Sequence, residues 1–451
     1  MDVITHQAPT GARHEVGVDE LFFSTTDARG VIGQANSVFV RMSRHARGSL
    51  VGAPHNIIRH PAMPAGAFKV MWDTLQTGEP FCAYVDNLAA DGSTYGVFAT
   101  ITPLGDGYLS VRSRPCRDDL HDAAFALYEQ VRPEELRLRD EGVPAAEAAA
   151  RGAERLAALL AGAGFPSYDE FVWTALPAEV EARLQQSAGI ARRPDATGQL
   201  ADMLDAAIAI DEELRHWVAS LEDLQSVAEQ LLQAVPHLRA TVEANQETAE
   251  RLRGADAAGG RFASVMVYLR VWAEMAPEVA PILHTLLDEL SELRRSCART
   301  RFRIALAVLH TSTVGQFVTE LIDQVPGSEE ARPAIADLCR ALDEGMALTA
   351  RQMETNASLA AAAADEIGIL RDILELPQTM IRAWLAKADL GADSAAALAD
   401  AVRTQIDRTQ ADIDLLGTLA GECRRIAVPL DASVVVSQLE RLRDLGVPPQ
   451  R

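Results

Sequence analysis

Lysine is nearly missing from this chain: Lys69 and Lys387 are its two occurrences among 42 basic residues, and the others are arginine. The formal net charge is −22, and no basic run offsets it, because "RLRD" and "ARRPD" are short and broken by acids. That balance argues against nonspecific attraction to nucleic acid or to an anionic membrane surface. Cysteine is scarce too. Cys82, Cys116, Cys297, Cys339 and Cys423 are an odd, scattered set without a C-x-x-C pair. This excludes a disulfide framework or a cysteine zinc site and fits reduced thiols. No stretch reaches the ~18 uncharged apolar residues of a spanning helix. The first residues, "MDVITHQAPTGARHEVGVDE", lack the apolar core of a signal peptide. These absences point to a soluble cytoplasmic protein with no membrane span.

Catalytic signatures are also lacking. There is no glycine-rich loop ending in Gly-Lys-Ser/Thr, and "AGAGFPS" sets Pro166 where a dinucleotide fingerprint needs a third glycine. No G-x-S-x-G elbow, H-E-x-x-H or kinase set occurs. Histidines do not cluster at metal-ligand spacing outside one turn. His310, in "RIALAVLHTSTVGQF", lies on an apolar helical stretch, as a core histidine does. The chain is not expected to be an enzyme.

What is present divides the chain by periodicity. "LFFSTT", "DARG" and "VIGQA" read as strand, turn and strand, and Asn36 offers an N-cap for "SVFVRMS". "AGAFKVMWDTLQTG" places Phe68, Met71, Trp72 and Leu75 on one helical face. Two further strands meet near Asp91-Gly92, and "YLSVRSR" closes the set after a "GDG" turn. The expected fold is an α+β domain, a five-stranded antiparallel sheet with short helices, over residues 20–116.

Beyond Arg117 the strand signals stop, and good helix formers dominate. A helical adapter or linker is expected over 117–200 and a long helical signalling or dimerisation region over 201–440. Residues 1–19 and 441–451 are expected to be flexible. Leu221, Leu224, Ala228, Leu231, Val235, Leu238 and Val242 alternate by threes and fours, as do Val279, Leu283, Leu286, Leu290 and Leu293. That spacing does not separate the core of a monomeric bundle from a dimeric coiled coil. Pro236, Pro277 and Pro281 argue against one uninterrupted rod.

One stretch stands apart. "PHNIIRHPAMP" sets His55, Asn56, Arg59 and His60 beside Pro61 and Pro64. The prolines fix φ and push the preceding residues out of the helical region. The result is a shaped polar turn of the kind that binds ligands, or else a solvated surface loop.

Read with "STTDARGVIGQAN", "FVRMS", "VDNLAADGSTYGV" and "YLSVRSR", that turn resembles the sensory PAS domain of the bacterial aerotaxis receptor family. The resemblance implies a non-covalently held FAD that reports redox state. The positions it implicates in flavin binding are Asn36, Arg59, His60, Trp72 and Asn87. Arg59 can contact the pyrophosphate, His60 can donate a hydrogen bond, Trp72 can stack or fill the core, and the two amides can pair with the flavin. Equally, Asn36 serves as a helix cap and Asn87 as a strand end. The chain departs from the family at Ala62, where an Asp is usual, at Gly96, where a Trp is usual, and at Phe81, also a Trp in the family. Lost tryptophans remove stacking area.

The sequence thus reads as a redox or oxygen-type sensor whose helical remainder relays state to a protein partner, with homodimerisation through the helices as an option. Two alternatives stay open. One is a cofactor-free PAS and helix scaffold that uses its sheet face as a partner surface. The other is a haem sensor with His55 or His60 as axial ligand.

Overall fold

The β-branched run after Leu21 forms strand β1 (Phe22–Asp27), and β2 (Ile32–Ala35) returns beside it. In the turn between them Asp27 Oδ1 accepts the N–H groups of Arg29 and Val31. The computed structural model describes residues 8–256, 270–271, 274–386, 394–426 and 431–446. Helix α1 (Ser37–Ser43) begins where Asn36 caps it. Helix α2 (Arg47–Leu50) and a 3-10 turn (His55–Ile58) lead through the proline-bracketed stretch to α3 (Ala65–Gln76). Strands β3 (Phe81–Leu88) and β4 (Thr94–Leu104) pair across the Asp91-Gly92 turn, where Gly92 takes a φ of 83°. Only glycine adopts that conformation without strain. Strand β5 (Gly107–Ser113) completes an antiparallel sheet of order β2-β1-β5-β4-β3. This is the five-stranded PAS architecture that the sequence predicts.

Alternation along the strands divides side chains between two faces. Phe81, Ala83, Val85 and Asn87 on β3, with Tyr108, Ser110 and Arg112 on β5, face a cavity under α3. Their neighbours Cys82, Tyr84, Phe98, Leu109 and Val111 are buried on the opposite face. Helices of the same chain cover that face. Phe317 packs edge-on against Phe23 at 5.4 Å, Leu21 N–H donates to Gln316 Oε1 at 3.2 Å, and the Tyr84 hydroxyl donates to Glu179 at 2.7 Å. The chain's own helices thus occupy this sheet face.

The segment after the sheet folds as α4 (Asp118–Asp140), α5 (Ala145–Gly162) and α6 (Tyr168–Gln186). These helices pack closely on the sheet domain. A Cβ on Gly66 of α3 would lie 2.4 Å from the backbone nitrogen of Ala153 on α5. Thr10 N–H donates to Gly92 O, Thr94 N–H to Ala12 O and His14 N–H to Thr94 O, so residues 10–14 are strapped along the start of β4. Backbone groups at the start of β4 find their partners there.

Among the described residues the remaining long helices are α7 (Gln199–Asp256), α8 (Ala276–Ile322), α9 (Arg332–Leu385), α10 (Ser394–Ile426) and α11 (Ser433–Gly446). One compact unit takes in the sheet domain, everything else up to Val218, Arg301–Ala350 and the residues from Asp431. A second comprises Ala219–Thr300 and Arg351–Leu430. Within the second unit the heptad residues from Leu224 to Val242 and from Val279 to Leu293 are buried together with Ile367, Leu370, Ile406 and Ile413. The seam is thus the core of an intrachain helical bundle and not the open stripe of a coiled coil awaiting a second copy.

The prolines do not interrupt these helices. α7 runs 58 residues through Pro236, and α8 runs 47 residues with Pro281 inside. Pro277 sits in the first turn of α8, where its missing N–H has no intrahelical acceptor to lose. Around Pro236, Leu231, Val235, Leu238 and Val242 are all buried. Burial at ~1.5–3 kcal/mol per large side chain outweighs the ~3 kcal/mol cost of a helical proline.

Candidate functional site

The proline-bracketed turn owes its shape to a helix far along the chain. Pro64 occupies the N-cap of α3 and offers no side-chain cap. Glu135 of α4 does that work: its Oε2 accepts Ala65 N–H and its Oε1 accepts Gly66 N–H, each at 2.7 Å. A carboxylate at a helix N-terminus is favoured by both the free donors and the dipole. Arg132, one turn earlier, donates to Pro61 O at 3.0 Å and to Glu135 at 3.1 Å. The turn is therefore held at both ends from α4, and its middle is held by the sheet through a backbone bridge between Arg59 and Asn87.

Beneath this turn lies a cavity of about 350 Å³ between α3 and the inner sheet face. That is within the ~300–1,000 Å³ range of small-molecule sites. Phe68, Trp72, Phe81, Tyr108 and Tyr128 provide aromatic walls. Trp72 meets Tyr108 edge-on at 5.6 Å, and Phe81 is backed by the parallel ring of Tyr168 at 5.3 Å. Arg29, Arg59 and Arg112 line the cavity, and no Asp or Glu does.

Two of these arginines make no ion pair with a carboxylate among the described residues, although the charge of Glu135 partly offsets the desolvation of Arg59. Arg59 lies over the Phe68 ring at 4.0 Å, and burial lowers its pKa, with the charge of Arg132 adding to that. Arg112 is 5% exposed, and burial pulls its pKa down to about 10. Its donors reach His55 Nε2 at 2.9 Å and Ser24 Oγ at 3.5 Å. His55 is accordingly held neutral, well below its usual pKa, by burial and then by the neighbouring Arg112 charge. Asn87 is 4% exposed, and its Nδ2 donor is buried without an acceptor. A buried donor without a partner costs about 1–3 kcal/mol. The cavity is thus an aromatic slot whose polar wall presents donors in excess of acceptors.

The structure brings Arg59, Trp72 and Asn87 together on this cavity. Asn36 stands elsewhere. Its Oδ1 accepts Phe23 N–H and Phe39 N–H, and its Nδ2 donates to Leu21 O at 2.8 Å, so the amide ties β1 to α1. His60 is half-buried outside the lining, and its Nδ1 accepts Ala62 N–H at 3.2 Å. Burial also lowers its pKa. Arg112 and Tyr108 are site residues that the sequence reading did not single out. The available signal was their alternation with Leu109 and Val111, which puts one cation on the same face as Tyr108 and Ser110.

The departures from the family pattern find physical explanations. Gly96 pairs with Asp86 on the outer sheet face, away from the cavity. A Cβ there would meet Asp86 Oδ1 at 3.2 Å and the Arg13 guanidinium at 3.4 Å. The Arg13–Asp86 bridge, with contacts of 2.8 and 3.0 Å, occupies the space above it. Its lost ring therefore removes no cavity wall. Ala62 is exposed at the turn, outside the lining, whereas Phe81 keeps an aromatic ring at the cavity.

No protein-family model matches the chain. The aerotaxis receptor of Escherichia coli (strain K12) is 36% identical over 121 residues, covering 26% of this chain and 24% of that protein. The nitrogen fixation regulatory protein of Klebsiella pneumoniae is 32% identical over 81 residues, covering 18% of this chain and 16% of that protein. The matches thus span about a quarter and about a sixth of these relatives' own lengths. Among solved structures, the Rhodobacter sphaeroides LOV protein aligns with 19% identity and a TM-score of 0.21, over 32% of this chain and 89% of that one. A variant of Vivid aligns with 13% identity and a TM-score of 0.19, over 25% and 91%. The N-terminal domain is a PAS domain resembling that of the aerotaxis receptor. No described helix is long and apolar enough to cross a membrane.

Proposed function

We propose that the cavity binds FAD and that the protein is a redox sensor whose helices relay the flavin's state to a protein partner. The observation that carries this reading is the donor excess of the cavity: Arg59, Arg112 and the orphaned Asn87 Nδ2 around an aromatic slot with no acidic side chain. A flat ring system with carbonyl and ring-nitrogen acceptors matches that wall, and a phosphate-bearing tail matches Arg59 at the turn. The relationship to the aerotaxis receptor supports a sensing role.

Bound flavin supplies reversible electron exchange with a change in charge and proton count. Arg112 and Asn87 act as fixed donors that answer such a change at the ring edge. Phe68 and Trp72 belong to α3, and α3 is fastened to α4 through Glu135. A shift of α3 therefore reaches α4 through the Glu135 cap and α5 through the close packing at Gly66, and these helices lead into the helical part. A haem reading gains nothing from His55, because its Nε2 already accepts from Arg112.

Purified protein is expected to be yellow, to release flavin on denaturation and to bleach with dithionite. A folded preparation that stays colourless after incubation with FAD overturns the cofactor assignment.

A further inference from the structure

A second cleft of about 110 Å³ lies on the outer side of the sheet domain, within the same compact unit. It is formed where Pro80, Thr102 and Pro103 meet α8 at Arg303–His310 and α9 at Ala341–Leu348. One buried water needs only ~10–15 Å³ of such volume, so the cleft has room for more than isolated waters, yet it falls below the ~300 Å³ of a drug-sized site.

Two polar groups of its lining have nothing to bond with. His310 is 2% exposed, and its Nε2 has no hydrogen-bond partner. Thr102 Oγ1 is likewise buried and unpartnered. Burial holds His310 neutral at physiological pH, with a pKa lowered to about 4. Both orphans are therefore uncharged groups that can donate or accept. Two charged residues belong to the lining. Arg303 pairs with Glu79 at 3.1 Å, and Glu344 is exposed. Leu306, Ala307, Leu342 and Leu348 supply apolar wall. An anion would find Arg303 already paired with Glu79, a cation would find only the exposed Glu344, and a purely apolar guest would leave both orphans unsatisfied.

We infer that this cleft is a site for a small uncharged molecule with one hydroxyl or carboxamide head and a short aliphatic tail. The head bridges His310 Nε2 and Thr102 Oγ1, and the tail lies on Leu306 and Leu342. The site is separate from the flavin cavity and stands whether or not that cavity is filled.

The test uses the full chain and saturation-transfer difference NMR with 1-propanol, propionamide and sodium propionate. Saturation transfer to the alcohol and the amide is expected, with at least a several-fold weaker effect for propionate. The effect should fall several-fold in His310→Leu and in Thr102→Val. The threonine variant is nearly isosteric and keeps the proposal testable if the histidine variant folds poorly. Visible absorbance from any bound flavin should stay unchanged throughout, which separates this site from the cofactor cavity. Absence of transfer to the alcohol and amide, equal or stronger transfer to propionate, or an undiminished effect in Thr102→Val would each overturn it and leave the cleft to ordered water.

Discussion

Arg112 donates to Nε2 of His55 over 2.9 Å, and this neutral imidazole takes the place where a carboxylate would ordinarily neutralise a buried guanidinium. An unpaired cation in a protein interior is costly. The wall therefore gains from any guest that brings negative charge or strong acceptors to it. Removing the cation should be felt mainly in binding. Arg112→Ala is expected to weaken flavin binding about 10- to 100-fold, following the ~1.5–3 kcal/mol of a charge-assisted hydrogen bond. The check is the flavin-to-protein absorbance ratio after purification, with far-ultraviolet circular dichroism to confirm the fold. Arg59→Ala should lower the ratio too, and full retention in both variants would count against the placement of the cofactor.

Asn87 gives a prediction of opposite signs. Its Nδ2 is buried without an acceptor, so the cofactor-free protein bears the cost of an unsatisfied donor. Asn87→Leu removes that donor at similar volume. The variant should be more thermostable than the parent when both are stripped of flavin, by about 1 kcal/mol, and should hold flavin less well. Melting of stripped and flavin-saturated protein tests both halves. A variant that is less stable without flavin would mean that Nδ2 has a partner.

The local turns and caps were legible because their causes are local. Asn36 at the start of "SVFVRMS" and Asp91-Gly92 between two strands each decide a conformation within a few residues, and each stands where the sequence places it. The heptad residues were legible as buried positions, since period reports burial. The same pattern left open who buries them, because an intrachain bundle and a dimer use identical spacing. The cavity was half legible. Arg59, Trp72 and Asn87 are positions that the family resemblance implicates, but Glu135 lies 70 residues from the α3 N-terminus that it caps, and no spacing rule joins them. Arg112 was hidden for another reason: a strand shows which residues share a face, not which face meets the cavity. Pro236 misled because helix propensity is a weak prior against a fully packed core.

Gly96 offers a test of the face assignment. The absent tryptophan at this position looks like a lost stacking partner, yet the residue lies on the outer face beneath the Arg13–Asp86 bridge. Gly96→Trp should therefore leave flavin content unchanged. It should lower the melting temperature, because the ring displaces the bridge and loosens the strap of residues 10–14. An increase in flavin content would place position 96 at the cavity and contradict the register of β3 with β4.

Protonation gives the last prediction, through His55. Burial and the Arg112 charge hold its pKa well below the usual 6.5 in the folded chain, while the unfolded chain takes up a proton near that value. The unfolded state thus binds more protons below pH 6.5, and the associated stability is complete above 6.5 and is lost as pH falls beneath it. The slope reaches ~1.4 kcal/mol per pH unit for each such group. His310, lowered to about 4 by burial, contributes with the same sign, so the fall should extend well below neutrality. Urea unfolding between about pH 7.5 and about pH 5.5 measures it, and the relevant comparison is of slopes rather than of absolute stabilities. His55→Leu should flatten the fall by up to ~1.4 kcal/mol per pH unit, whatever the variant's stability at neutral pH. Equal slopes in the variant and the parent would mean that His55 titrates in the folded state as it does in water, and Arg112 would then have a different neutral acceptor.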